Sequence, residues 1–182
     1  MDEMVKEKEK KEKPSCKDQA MFWLEYGDRT ETEMVRYLQK KGYDEREIAE
    51  CMAFLVDLSL IDDKRYALRF VEVSMEKGRG PLRIRHELAE KGIVGAIADE
   101  AMEMLYDRST EREIAMGVAE KALRSIENAS MSDEDVEAEL DDWGNPIRPK
   151  LSEKDKAKIL RKLAAAGFSS GAAYDAINRL KR

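Results

Sequence analysis

No run of about eighteen apolar residues occurs in the 182-residue chain, so no segment reads as a membrane-spanning helix. Glycine and proline are scarce, at 10 and 4. A β-sandwich needs turn residues at every strand end, so this scarcity favours long helices joined by short loops. Aromatics are 7% of the residues and charged side chains 40%, which predicts a soluble chain with a modest core and a large surface. Histidine occurs once, as His86. One imidazole leaves no His-bearing metal cluster and no developed Ser/His/Asp or Cys/His arrangement, so His86 reads as a surface or packing residue. No catalytic group, cofactor or metal is expected, and the chain does not read as an enzyme. The cysteines, Cys16 and Cys51, stand far apart in no CxxC pattern and read as one tail thiol and one packed thiol. The opening MDEMVKEKEKKEKPSCKD lacks the apolar stretch of a secretory signal, so a cytoplasmic location is the expectation.

Charge of one sign is missing from one segment. Residues 129–142, ASMSDEDVEAELDD, hold seven acids and no base. Those seven outweigh the net charge of −6, so the remainder is close to balanced. Local fields, not the total, decide which partners a surface attracts. The Lys/Glu-rich start has little to bury and reads as a disordered tail over 1–16.

What the chain does have is self-similarity. Three stretches align on Gly42, Gly92 and Gly167. Four residues before each glycine stands Leu38, Leu88 or Leu163; eight before stands Met34, Ile84 or Ile159. One after stands Tyr43, Ile93 or Phe168, ten after Met52, Met102 or Ile177, and thirteen after Leu55, Leu105 or Leu180. The spacings on each side are those of one helical face. A glycine between them suits the left-handed residue that follows a helix end. Each unit is thus a helix–glycine–helix hairpin. Thr30-x-x-Glu33 and Ser152-x-x-Asp155 resemble capping boxes, and Asp44 suits an N-cap. A further helical segment precedes each hairpin, at about 17–26, 62–77 and 111–126. Tyr66, Phe70 and Val73 mark its apolar face in the second unit, and Ile114, Val118 and Leu123 in the third. Trp23 and the stripe methionines Met34, Met52 and Met102 read as core.

The expected fold is all-α, with three tandem three-helix repeats forming an elongated curved array. The repeats span 17–60, 61–107 and 108–182. The third carries an acidic loop insertion at 127–150, which accounts for its greater length. Trp143, in that loop, either anchors an interface or tacks the loop down.

The segment GRGPLRIRHELAEKG, residues 78–92, poses a choice among phosphate loop, nucleic-acid helix and ordinary helix start. Arg83 stands where the dinucleotide fingerprint needs its third glycine, and no P-loop Lys-Ser/Thr follows. The local reading has Gly78 ending one helix, Gly80 as N-cap of the next and Pro81 in its first turn. Ile84 and Leu88 mark the buried stripe, with Arg83 and Arg85 about 100° to either side. Either arginine can meet a carboxylate on a neighbouring helix, and Arg83–Glu87 and Glu87–Lys91 pairs have i,i+4 spacing. Lys77 and Arg79 are expected in the exposed turn.

These residues resemble a known family. Ile61-Asp62-Asp63, Arg65-Tyr66-Ala67, Phe70-Val71, Gly78-x-Gly80-Pro81, Ile84, Glu87-Leu88 and Lys91-Gly92 are similar to the signature of the RecX family, regulators of the RecA recombinase. The resemblance covers about residues 17–182 and is most specific in the middle unit. It implies a protein that binds in the groove of the RecA–single-stranded DNA filament and blocks its extension. Recombination and the SOS response would be damped as a result. It implies no cofactor and no chemistry. A monomer is expected, with filament contacts at Lys64, Lys77, Arg79, Arg83 and Arg85. Family members commonly carry a pattern like Val-Arg-Ser-Arg where this chain reads Val71-Glu72-Val73-Ser74. Lost cations weaken phosphate contact, so the expectation is contact with the recombinase and only weak contact with single-stranded DNA. The acidic run 131–142 would repel DNA, or stand in for phosphate against a basic face. A generic helical-repeat scaffold and a nucleic-acid-binding module using Lys77, Arg79, Arg83 and Arg85 are the other readings.

Overall fold

The computed structural model of the protein describes residues 13–130 and 151–180. Among the described residues there are nine helices and no strand. None of these helices is long and apolar enough to cross a membrane. The acidic run 131–142 and Trp143 lie outside the described residues. The chain divides into two compact units, residues 1–62 and 63–182.

The first unit is one three-helix repeat: α1 (Cys16–Leu24), α2 (Glu31–Lys40) and α3 (Glu45–Asp57). Local chemistry sets each start. Ser15 caps α1 by accepting from the Asp18 N–H at 3.1 Å. Thr30 and Asp44 head complete capping boxes with Glu33 and Glu47, so two orphan N–H groups are satisfied at each helix start. Ala20, Met34, Leu38, Ile48, Cys51, Leu55 and Ile61 form the core. Burying each of the larger aliphatic side chains contributes about 2 kcal/mol relative to leaving it in water.

Residues 13–16 correct the tail assignment. The Tyr43 hydroxyl donates to the Pro14 carbonyl at 2.6 Å, and the Lys13 ammonium donates to the Gly42 carbonyl at 2.8 Å. Cys16 is therefore buried at the head of α1, not a tail thiol. It shares a side-chain hydrogen bond with Cys51, and burial pushes its thiol up to about 12. Trp23 is also corrected: it is half-buried, stacked on Tyr37 at 4.1 Å with the Arg29 guanidinium 4.6 Å from its ring.

The second unit holds the other two repeats. One comprises α4 (Asp63–Glu76), α5 (Pro81–Glu90) and α6 (Ala96–Leu105); the other comprises α7 (Arg108–Ser130), α8 (Glu153–Ala166) and α9 (Ser170–Leu180). Gly42, Gly92 and Gly167 all have positive φ, at 78°, 85° and 87°, as the repeat register requires. The stripe before each glycine is buried as expected, with Leu38, Leu88, Leu163, Met34, Ile84 and Ile159 wholly inaccessible; of the stripe after it, Leu55, Met102 and Ile177 are buried but Met52, Leu105 and Leu180 are half-buried.

The first helix of each later repeat differs from expectation. Its innermost face is Ala67, Val71 and Ser74 in α4, and Ala115, Ala119 and Ala122 in α7. Tyr66, Phe70, Ile114, Val118 and Leu123 only flank those faces, and Val73 is exposed. Small residues take the line of closest approach because they let helices pack tightly, and bulkier neighbours fill the sides. Helix α7 also runs on to Ser130, through residues 127–130 that the sequence placed in the loop. Those four positions hold no glycine or proline to stop it.

Candidate functional site

The opening of α5 is built by the third repeat. The Gly80 N–H donates to the Ala166 carbonyl at 2.7 Å, and the Leu82 N–H donates to the Gly167 carbonyl at 3.1 Å. Carbonyls from the end of α8 thus satisfy donors at the start of α5, where Gly80 offers no side-chain cap. The two backbones meet so closely that a Cβ on Gly80 would overlap the Gly167 carbonyl and the Phe168 nitrogen. Gly80 is the N-cap and Pro81 the first helical residue, as the sequence indicated. Donors that a phosphate loop would present to a ligand are here engaged by protein.

The expected contact residues fall around this junction, and most meet a carboxylate of the chain itself. Arg83 Nε lies 2.8 Å from Glu87 Oε1, and Arg79 pairs with the other oxygen of the same carboxylate. Arg85 pairs with Asp99 on α6, and Lys64 Nζ lies 3.5 Å from Glu100 Oε2. Lys77 is exposed and has no ion pair among the described residues.

Arg79 corrects the expectation of an exposed turn residue. Only 26% of its side chain is accessible, because Glu87 draws it over the helix. Its carbonyl also accepts from the Tyr106 hydroxyl at 3.1 Å, and burial holds that phenol well above its ordinary range. The turn is therefore held at Arg79 from both ends. Leu82, on the face opposite Ile84, stands 63% exposed beside Arg85 and His86. His86 itself lies 3.5 Å from Glu90 on the surface.

A second set of cations was not singled out in the sequence. Lys154, Lys158, Arg161 and Lys162 lie on the exposed side of α8, opposite Ile159 and Leu163. None of the four forms an ion pair with another described residue. Their i, i+4, i+7, i+8 spacing in KDKAKILRK was the available signal. Elsewhere in this repeat, a cleft of about 360 Å³ is lined by Arg108, Glu111, Arg112 and Asp175. Its charges are largely matched: Arg112 Nε lies 3.2 Å from Asp175 Oδ2, and Glu111 accepts from the Ser169 N–H at 2.8 Å.

Models described as the first and second three-helix domains of RecX match residues 16–55 and 62–102. The regulatory protein RecX of Vibrio campbellii is 35% identical over 112 residues, covering 62% of this chain and 71% of that protein. The regulatory protein RecX of Clostridium botulinum (strain Eklund 17B / Type B) is 30% identical over 162 residues, covering 89% of this chain. The chain spans 65% of the length of that relative. The crystal structure of RecX from Lactobacillus salivarius aligns with a TM-score of 0.68 at 28% identity, covering 91% of this chain and 94% of that one.

Proposed function

The chain belongs to the RecX family, and on that premise we propose that it regulates the RecA recombinase by binding in the groove of the RecA–single-stranded DNA filament. Bound there, it blocks filament extension, which damps recombination and the SOS response. The α4–α5 junction is the contact. Lys77, Leu82 and Arg85 face the partner, Lys64 lies at the edge, and Arg79 and Arg83 hold the junction in shape through Glu87.

One observation carries the choice of protein over DNA as the partner of this junction. Each of its three guanidiniums already meets a carboxylate, Arg79 and Arg83 sharing Glu87 and Arg85 meeting Asp99, and an exposed leucine stands among them. Phosphate neutralisation works best with guanidiniums free to turn to the backbone, and these three are held by carboxylates of the chain itself. A protein contact needs an apolar anchor and oriented hydrogen bonds, which this junction offers. The departure at Val71-Glu72-Val73-Ser74 points the same way, since Glu72 and Val73 are exposed on α4 without adding positive charge.

The test adds the purified chain to RecA, single-stranded DNA and ATP and follows ATP hydrolysis. Inhibition is expected at well below one chain per RecA. Lys77→Glu with Leu82→Asp should weaken it by about tenfold at unchanged helicity. Hydrolysis unaffected at any ratio would overturn the proposal.

A further inference from the structure

Helices α5 and α8 occupy the same place in successive repeats, so their surfaces compare position by position. In the register that aligns Ile84 with Ile159 and Leu88 with Leu163, Lys154 stands where Arg79 stands and Lys158 where Arg83 stands. Lys162 then stands where Glu87 stands. The carboxylate that takes up two arginines in α5 is thus replaced in α8 by a further cation. Arg161, at the position of His86, extends the row; its Nε donates only to the Ala157 carbonyl of its own helix, at 3.2 Å.

The geometry points to the outer face of α8 as a binding surface for the phosphate backbone of single-stranded nucleic acid, gripped through charge and without regard to base sequence. Each i,i+4 step advances about 6 Å along the helix, so Lys154, Lys158 and Lys162 form one slanting row with Arg161 alongside it. One row suits one strand, whereas a duplex presents two backbones. Three of the four cations are lysines, whose compact charges on flexible stems follow phosphates without demanding a fixed direction. Beside them the exposed face carries Ala157, Ala164, Ala165 and, at its N-terminal end, Glu153, whose carboxylate pairs with Lys156. No large apolar residue of α8 is exposed, so the face lacks the anchor that a protein interface needs. It also lacks an aromatic ring on which a base could stack. Among residues 151–180, six bases stand against three acids.

This inference does not rest on regulation of RecA, and its test contains no RecA. The full chain is titrated against fluorescently labelled oligo(dT) by anisotropy between 50 and 200 mM salt. Four contacts predict that log affinity falls against log salt with a slope of about −2.8, at about −0.7 per contact on a single strand. The variant K154Q/K158Q/R161Q/K162Q should lose that slope while circular dichroism keeps its helicity. The charge-keeping variant K154R/K158R/K162R should bind as the parent does. Absence of oligo(dT) binding at 50 mM salt, or a quadruple glutamine variant that binds like the parent, overturns the assignment. Tighter binding of an oligoglutamate peptide than of oligo(dT) reassigns the face to an acidic protein and overturns it too. Equal binding of a duplex overturns the single-strand reading.

Discussion

Helices α5 and α8 share a buried stripe, a preceding cap and a following glycine, yet they present opposite surfaces. On α5, Glu87 gathers Arg79 and Arg83 into a closed cluster. On α8, Lys162 sits at the matching position and the row stays open. Their starts differ as well. Ser152 caps α8 from its own side chain, whereas the first donors of α5 are satisfied by carbonyls from the end of α8. The contrast teaches that a repeat conserves its interior chemistry while one surface residue decides what its exterior can bind.

The largest effect is expected where the two helices meet. Gly80→Ala forces a methyl into the Gly167–Phe168 backbone, which cannot swing aside as a side chain would. A loss of about 3 kcal/mol is expected, and a fall in Tm of roughly 10 °C by calorimetry. An unchanged Tm would mean that α5 does not depend on α8 for its start. Next comes the position that separates the two surfaces. Lys162→Glu should rebuild the α5 arrangement on α8 and cut oligo(dT) affinity roughly twentyfold at 0.1 M salt. The converse change is smaller. Glu87→Gln releases Arg79 and Arg83, with an expected cost of about 1 kcal/mol by denaturant unfolding because the carboxylate is largely but not wholly covered.

The smallest effect lies between the repeats, at the entry to α7. The exposed Asp107 carboxylate accepts from the Thr110 N–H at 2.7 Å and from the Ser109 hydroxyl, and these bonds lower it to about 2. A carboxylate held below its ordinary value stabilises the fold above that value, and the contribution is lost as pH falls through about 2. Asp107→Asn should therefore flatten the decline of Tm between pH 4 and pH 2.

Much of this architecture can be read in the letters. The glycine register, the apolar positions before it and the caps at Thr30 and Asp44 are local patterns with local causes, and the structure places them as expected. The first helices of the later repeats misled because a search for large apolar residues passes over alanine. Ala67, Ala115 and Ala119 are wholly buried, but small side chains mark a close approach only once the partner helix is known. Arg79 misled for a similar reason: its cover comes from a glutamate eight residues away. Cys16 and Cys51, thirty-five positions apart in sequence, meet only in the folded repeat. The row on α8 was visible as spacing, but its freedom from carboxylates is a property of the fold.

The division of roles between the two helices is tested most directly by photo-crosslinking in the RecA–oligo(dT) filament. One probe replaces Leu82 on α5 and another replaces Ala165 on α8, both at exposed positions. The expected products are a RecA adduct from position 82 and a DNA adduct from position 165. A DNA adduct from position 82, with only protein captured from position 165, would contradict the assignment of both surfaces.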